Sequence, residues 1–166
     1  MNDADGGTTR LQTIVIRQFP LQLFDEARQH SEALLREFAF IAESGRGEVH
    51  VPRRLLELVA ALNARYATLN AAAEELIETA LHRGDETLDF ELQVPEDARQ
   101  ASIELGAMLD EADAYCRSGD LLTLATPPEL RDFRVWYLQQ VIDQLEGRPP
   151  TPWSDGSVDR EHLREA

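Results

Sequence analysis

A chain of 166 residues, 43% of them hydrophobic, has the length and the apolar content of one domain with its own core. Its 31 acidic residues outnumber the 16 basic ones, all of which are arginine. The formal net charge of −15 argues against phosphate backbones and anionic lipid surfaces as general partners.

The compartment is predicted from cysteine usage and from the absence of targeting signals. Cys116 is the single cysteine, which excludes an internal disulfide and favours a reducing environment. The first ten residues lack the positive start and the apolar core of a signal peptide, and no later stretch reaches the roughly 18 apolar residues that span a bilayer. We expect a soluble, cytoplasmic protein with no nucleic-acid or membrane partner.

The first half of the chain predicts one strand followed by helices. Residues 1–10 are polar and aperiodic, as in a flexible leader. The β-branched run in LQTIVIRQF predicts a strand at 11–19 that is buried on both faces, and apolar residues at helical spacing predict a helix over 21–43. Residues 52–83 are also helical, either as one helix or as two divided near Asn70, which could cap the second.

The second half predicts two more strands and two helices. TLDFELQV at 87–94 alternates strictly, with Phe90 on the apolar face and Asp89 on the wet face. Pro95, Glu96 and Asp97 are typical of the start of a helix, and LLTLA predicts a third strand at about 120–125. TPPE then reads as a capping box with Thr126 as the N-cap of a helix that extends to about residue 146.

Together these elements predict an α+β or α/β fold. The order is β-α-α-α-β-α-β-α, a predominantly helical single domain over 11–153 with a small three-stranded sheet and a loose polar tail at 154–166. A β-α-β-α unit over 87–146 would make its two strands parallel.

The sequence predicts no catalytic, metal or cofactor site. A P-loop needs a lysine that the chain does not have, and no dinucleotide-binding glycine motif follows a strand. The four histidines are scattered with no paired spacing, and Glu26 with His30 forms an i,i+4 pair on a helix, which is common on solvated faces. Cys116 follows the acidic run DEADAY, which would raise the pKa of its thiol, so we expect a core residue and not a nucleophile.

EELIETALHRG at 74–84 resembles the ATP-binding helix of Bergerat-type kinases. The position of the magnesium-binding asparagine is occupied by Thr79, and the glycine-rich adenine loop is missing. A degenerate ATPase-like domain of this type is therefore a minor alternative, with Glu75 as the residue that would position water.

Two groups of residues predict a surface for binding a partner protein. Asp110, Glu111 and Asp113 lie near the end of a helix, where they form either a solvated acidic face or a docking patch for a basic partner. Arg131, Arg134 and Trp136 belong to residue types that dominate binding hot spots, although a final helix with a wide apolar face also packs into a core. The exposure of Trp136 decides between these two interpretations.

Three stretches resemble a group of short acidic actinobacterial proteins: LLREFAFI at 34–41, LDEADAYC at 109–116, and LLTLATPPELRDFRVWYL with RPPTPW within 121–153. The resemblance implies a setting beside anti-sigma kinases, STAS-domain antagonists and PP2C-type phosphatases, the parts of partner-switching systems. It implies no catalytic residue.

Two functions remain open at this point. The first is a non-enzymatic regulatory or adaptor protein that binds a protein with a basic surface, in bacterial signalling or sigma-factor control, with homo-oligomers also possible. The second is a small-ligand-binding protein or a degenerate ATPase-like domain whose pocket residues are dispersed along the chain.

Overall fold

The computed structural model describes residues 10–44, 50–118 and 125–154, except for the side chains of residues 66–68. The described residues form a predominantly helical α+β fold of two strands and four helices. In chain order these are β1 (Leu11–Pro20), α1 (Leu21–Ser44), α2 (His50–Arg83), β2 (Thr87–Pro95), α3 (Ala98–Ser118) and α4 (Pro128–Leu145).

The helices match the predicted ones except at three boundaries. Residues 50–83 form one continuous helix of 34 residues, which settles the alternatives around Asn70. Helix α3 begins at Ala98 and not at Pro95, because Pro95 still pairs with the first strand. Helix α4 has Pro127 as its N-cap and no side-chain cap, so the prediction for Thr126 is wrong. None of the helices in the described ranges is both long and apolar enough to cross a bilayer.

The sheet contains two antiparallel strands, with Leu11 opposite Pro95 and Ile16 opposite Phe90. The predicted third strand falls largely on residues 119–124, which lie outside the described residues, and Ala125 is not in a strand. The parallel strand pair expected within 87–146 depended on that strand, whereas the described pair is antiparallel. Among the described residues, the sheet therefore has two strands, and the third predicted strand lies outside them.

A β-bulge shifts the alternation of buried and exposed side chains along β1. Between Ile16 and Phe19 the strand has one more residue than β2, and Gln18 adopts a positive φ of 50°. Its backbone N–H donates to Asp89 Oδ1 at 2.7 Å. Because the bulge shifts the alternation by one residue, Phe19 joins Ile14 on the buried face and Gln18 points to solvent.

The outer edge of β1 is covered by polar groups from the C-terminal part of the chain. The Gln144 side chain donates to the Val15 carbonyl and accepts from the Val15 N–H, both at 2.8 Å, as a neighbouring strand would. The backbone N–H of Trp153 donates to the Arg17 carbonyl at 3.2 Å. Val15 is only half-buried, so the expectation of a strand buried on both faces is wrong. The outward backbone N–H and carbonyl of Val15 nevertheless both have partners.

The four helices pack as a ring, in which α1 contacts α2, α2 contacts α3, α3 contacts α4, and α4 contacts α1. Two separate clusters of buried side chains fill this arrangement. The sheet cluster lies where the strands meet α4 and the adjoining parts of α1 and α2, and it includes Phe19, Phe90 and Phe133. The helical cluster lies among α1, α2 and α3, and it includes Phe38 and Leu55.

The buried face of β2 supports a direct test of the sheet. Phe90 is 5% exposed, whereas its neighbour Glu91 is exposed. We expect Phe90→Asp to destabilise the protein by about 3 kcal/mol or more, because it buries an unpaired charge. Glu91→Ala should change the free energy of unfolding by less than about 1 kcal/mol. Urea denaturation measures both, and equal losses would contradict the assigned faces.

Candidate functional site

A cavity of about 490 Å³ lies between the four helices. Its wall contains members of both core clusters, such as Phe133 from the sheet cluster and Leu34 from the helical cluster. The cavity therefore occupies the place where the two clusters fail to merge. Its volume is within the roughly 300–1,000 Å³ that is usual for small-molecule sites.

The cavity wall is mainly apolar with a few polar groups. The apolar side chains come from every helix and from the end of β1: Phe19, Phe24, Ala27, Leu34, Leu35, Val59, Ile77, Leu105, Leu109, Leu130, Phe133 and Leu138. Exposed polar residues, Ser31, Glu32 and Asn63, mark the side of the cavity that faces solvent. His30, Thr126 and Arg134 add a polar section of wall. Such a wall suits an apolar ligand that is held by a small number of hydrogen bonds.

The polar section is built around the buried carboxylate of Asp113, which is 2% exposed. Asp113 Oδ1 accepts from the Thr126 hydroxyl at 2.6 Å and from the Thr126 backbone N–H at 2.9 Å. Asp113 Oδ2 accepts from Arg134 Nη2 at 3.0 Å. Burial alone would raise the pKa of Asp113, but these hydrogen bonds outweigh it and lower the pKa. The carboxylate therefore stays ionised at neutral pH.

Arg134 also connects this carboxylate to an exposed acid. Its Nη2 lies 2.8 Å from Asp110 Oδ1, and the side chain of Arg134 is only 14% exposed. Asp110 is half exposed, and it also pairs with Arg131 at 3.3 Å. Four of the six residues predicted for partner binding, Asp110, Asp113, Arg131 and Arg134, thus form one ion-pair network between α3 and α4.

The other two predicted residues lie elsewhere. Glu111 pairs with Arg54 across α2 and α3, at 3.6 Å. Trp136 is 7% exposed, and its indole N–H donates to the Thr151 carbonyl at 3.0 Å. The ring of Trp153 packs on it with centroids 5.4 Å apart. Trp136 is therefore a core residue. The expectation that Asp113 lies on a solvated helix face is also wrong, because the Thr126 and Arg134 donors draw it inward.

His30, on α1, contacts this network through Thr126. Its Nε2 lies 3.3 Å from Thr126 Oγ1. The single hydroxyl proton of Thr126 is already donated to Asp113, so Thr126 must accept and His30 Nε2 must carry a proton. Burial lowers the pKa of His30; the negative Asp113 opposes this effect and the positive Arg134 adds to it. At neutral pH the ring is therefore neutral, and its Nδ1 is a hydrogen-bond acceptor.

The arginines that line the cavity are compensated by acids. Arg28 donates to Glu78 and to Asp25, each at 2.6 Å. Arg134 is paired with Asp110 and Asp113, as described above. Glu32 is exposed at the solvent side. Among the described residues, the buried part of the cavity wall therefore presents no uncompensated charge.

Two other groups, Cys116 in the helical cluster and Tyr137 in the cavity wall, are held in their protonated forms. Burial, together with the negative charges of Asp113 and Glu37, raises the pKa of the Cys116 thiol to about 11. Burial and the charge of Glu74 raise the pKa of Tyr137, which lines the cavity, to about 12. An activated thiolate is therefore absent at Cys116, and the interpretation of this cysteine as a core residue is confirmed by its 8% exposure.

The sequence gives no sign of the cavity, and it suggests other roles for the residues of the polar wall. The helical pattern pairs His30 with Glu26, yet the contact of His30 is with Thr126, 96 residues away. The TPPE pattern suggests a helix cap for Thr126, and Arg134 is predicted only as part of a protein-binding surface. One feature of the sequence does point to this network. Asp113 lies near the C-terminal end of its helix, where the helix dipole disfavours a negative charge, so a compensating partner is expected. Among the described residues, no group of three histidine, cysteine, aspartate or glutamate side chains is arranged to hold a metal ion.

The two carboxylates that share Arg134 should differ sharply in their contribution to stability. We expect Asp113→Ala to cost about 3 kcal/mol, because it leaves buried donors and part of a buried charge without a partner. Asp110→Ala removes an exposed partner of the same arginine and should cost less than about 1 kcal/mol. Chemical denaturation compares the two variants, and similar losses would show that Asp113 is not the centre of the network.

Comparison with models of known protein families, with curated proteins and with solved structures finds no match for this chain.

Proposed function

We propose that this protein binds a small, largely apolar molecule in the cavity between its four helices. The observation that carries the proposal is the cavity itself, about 490 Å³ and lined by twelve apolar side chains. The cavity is open to solvent on the side of Ser31, Glu32 and Asn63, so its apolar wall is left in contact with water. A ligand that fills the cavity would remove that apolar surface from water, which is favourable.

The surrounding contacts support a cavity that persists without a ligand. The Asp113 network joins α3 to the start of α4, and Arg28 joins α1 to α2 through Glu78. These polar contacts join neighbouring helices in pairs and involve no ligand. A site that is already formed binds its ligand with little cost in ordering the protein.

Binding of diphenylhexatriene tests the proposal, since this hydrocarbon fluoresces in apolar surroundings and carries no polar group. We expect one saturable site per chain. Ala27→Leu, which adds volume inside the cavity, should weaken binding by at least about tenfold, or about 1.4 kcal/mol, without lowering stability. Ala72→Leu is the matched control, because Ala72 is exposed on α2.

Two results would contradict the proposal. One is the absence of saturable binding to the folded protein. The other is equal loss of affinity in the Ala27 and Ala72 variants, because it would place the probe on the outer surface.

A second candidate function, binding of a basic protein segment, is supported by a groove between α2 and α3. This groove, of about 440 Å³, is lined by Glu57, Glu104 and Glu111 with a single arginine, Arg54. Glu57 and Glu104 form no ion pair with any residue in the described ranges. The net charge of −15 adds a long-range field of the same sign. A partner rich in arginine or lysine would complement both.

Calorimetry with a hexa-arginine peptide tests this second candidate. Reversing Glu57 and Glu104 together to arginine should abolish binding, and affinity for the unaltered protein should fall as salt is raised. Reversing the exposed Glu75 and Glu91 changes the net charge equally and serves as the control. Equal effects of the two double reversals would show that only net charge acts, and the groove would lose its role.

A further inference from the structure

We propose, building on ligand binding in the interhelical cavity, that the ligand is uncharged and carries a hydroxyl group that donates a hydrogen bond to His30 Nδ1. The class of ligand is thus an apolar alcohol, and His30 is the residue that selects it. Ligand binding in the cavity requires only an apolar molecule. The inference about the hydroxyl group can therefore fail while ligand binding still holds.

The direction of the hydrogen bonds in the polar wall determines which ligand group His30 can bind. The Thr126 hydroxyl gives its proton to Asp113, which obliges His30 to donate from Nε2 to Thr126. The other ring nitrogen of a neutral imidazole is then an acceptor. Within the described part of the chain, Nδ1 of His30 has no hydrogen-bond partner, and the side chain lines the cavity. His30 is half-buried, so a ligand that covers this wall removes Nδ1 from solvent and replaces the lost hydrogen bond only if it brings a donor.

The charges around the polar wall favour a ligand with a neutral hydroxyl over one with a carboxylate or an ammonium group. Arg134 is the cation closest to this wall, and it is already paired with Asp113 and Asp110. A carboxylate would therefore find no free cation, and it would also face the lone pair of Nδ1. An ammonium group would lie beside Arg134 after losing its hydration. Burying either charge without compensation costs far more than burying a hydroxyl that forms one hydrogen bond.

Tyr137 is a second group that suits a hydroxyl. It lines the cavity, and its phenol forms no hydrogen bond with a described residue. Its pKa of about 12 keeps the phenol protonated at neutral pH. A hydroxyl can donate at His30 or accept at a protonated phenol, so neither polar group of the wall excludes it.

Competition against bound diphenylhexatriene tests the inference at pH 7, with four probes built on the same linear decane skeleton: decanol, decyl methyl ether, decanoate and decylammonium. We expect decanol to displace the hydrocarbon at concentrations at least about tenfold lower than either charged analogue. Decyl methyl ether keeps the oxygen and loses the donor, so it should bind about three- to tenfold more weakly than decanol.

The variant His30→Gln supplies the matched control. A glutamine amide can still donate to Thr126, but it has no acceptor at the position of Nδ1. In this variant the difference between decanol and its ether should disappear, while the affinity for diphenylhexatriene stays the same. If the variant does not fold, the ratio of the alcohol to the ether in the unaltered protein remains a complete test.

The outcomes separate the two proposals. Failure of diphenylhexatriene to bind at all would overturn ligand binding in the cavity. Binding of the hydrocarbon, with decanoate or decylammonium displacing it as well as decanol does, would overturn only the selection of an uncharged ligand. Equal affinity for decanol and its ether would overturn the role of His30.

Discussion

The buried carboxylate of Asp113 is the constraint on which the arrangement of α3, α4 and the cavity depends. An ion that is 2% exposed must have its lone pairs satisfied within the protein, and Thr126 and Arg134 supply the donors. These bonds fix Thr126, two residues before the start of α4, against the side of α3. Because Thr126 uses its proton there, its oxygen becomes an acceptor toward His30. One carboxylate thereby sets the polarity of a wall to which three separate segments contribute.

The same geometry explains why the protein has two core clusters and not one. The sheet cluster is organised by Phe19, whose ring lies within 5.1 Å of the Phe24 and Phe90 rings, centroid to centroid. The helical cluster is organised by Phe38, which packs edge-on against Tyr115. The four helices form a ring around the space between these clusters. The side chains that face this space reach it from both clusters but do not fill it, and the result is the cavity.

Local sequence patterns were sufficient for elements whose cause is local. The alternation from Leu88 to Val94 predicted the strand and its buried face, and the helical spacing after Pro20 predicted α1. The phase of β1 was not predictable in the same way, because the bulge at Gln18 depends on a bond to Asp89 on the other strand. The capping prediction failed for a similar reason. The Thr126 hydroxyl was assigned to its own helix, but a buried carboxylate 13 residues earlier binds it more favourably.

The candidate site is the part of the structure that is hardest to predict from the sequence. Its chemistry depends on His30 and Thr126, which are distant along the chain and belong to no motif, and its volume depends on what four helices leave unfilled. Binding at that location is most directly tested by methyl NMR during titration with diphenylhexatriene. We expect shifts in the methyl signals of Leu35, Leu105 and Leu130, which line the cavity, and none for the exposed Leu11 and Leu76. Shifts confined to Leu11 or Leu76 would contradict binding in the cavity.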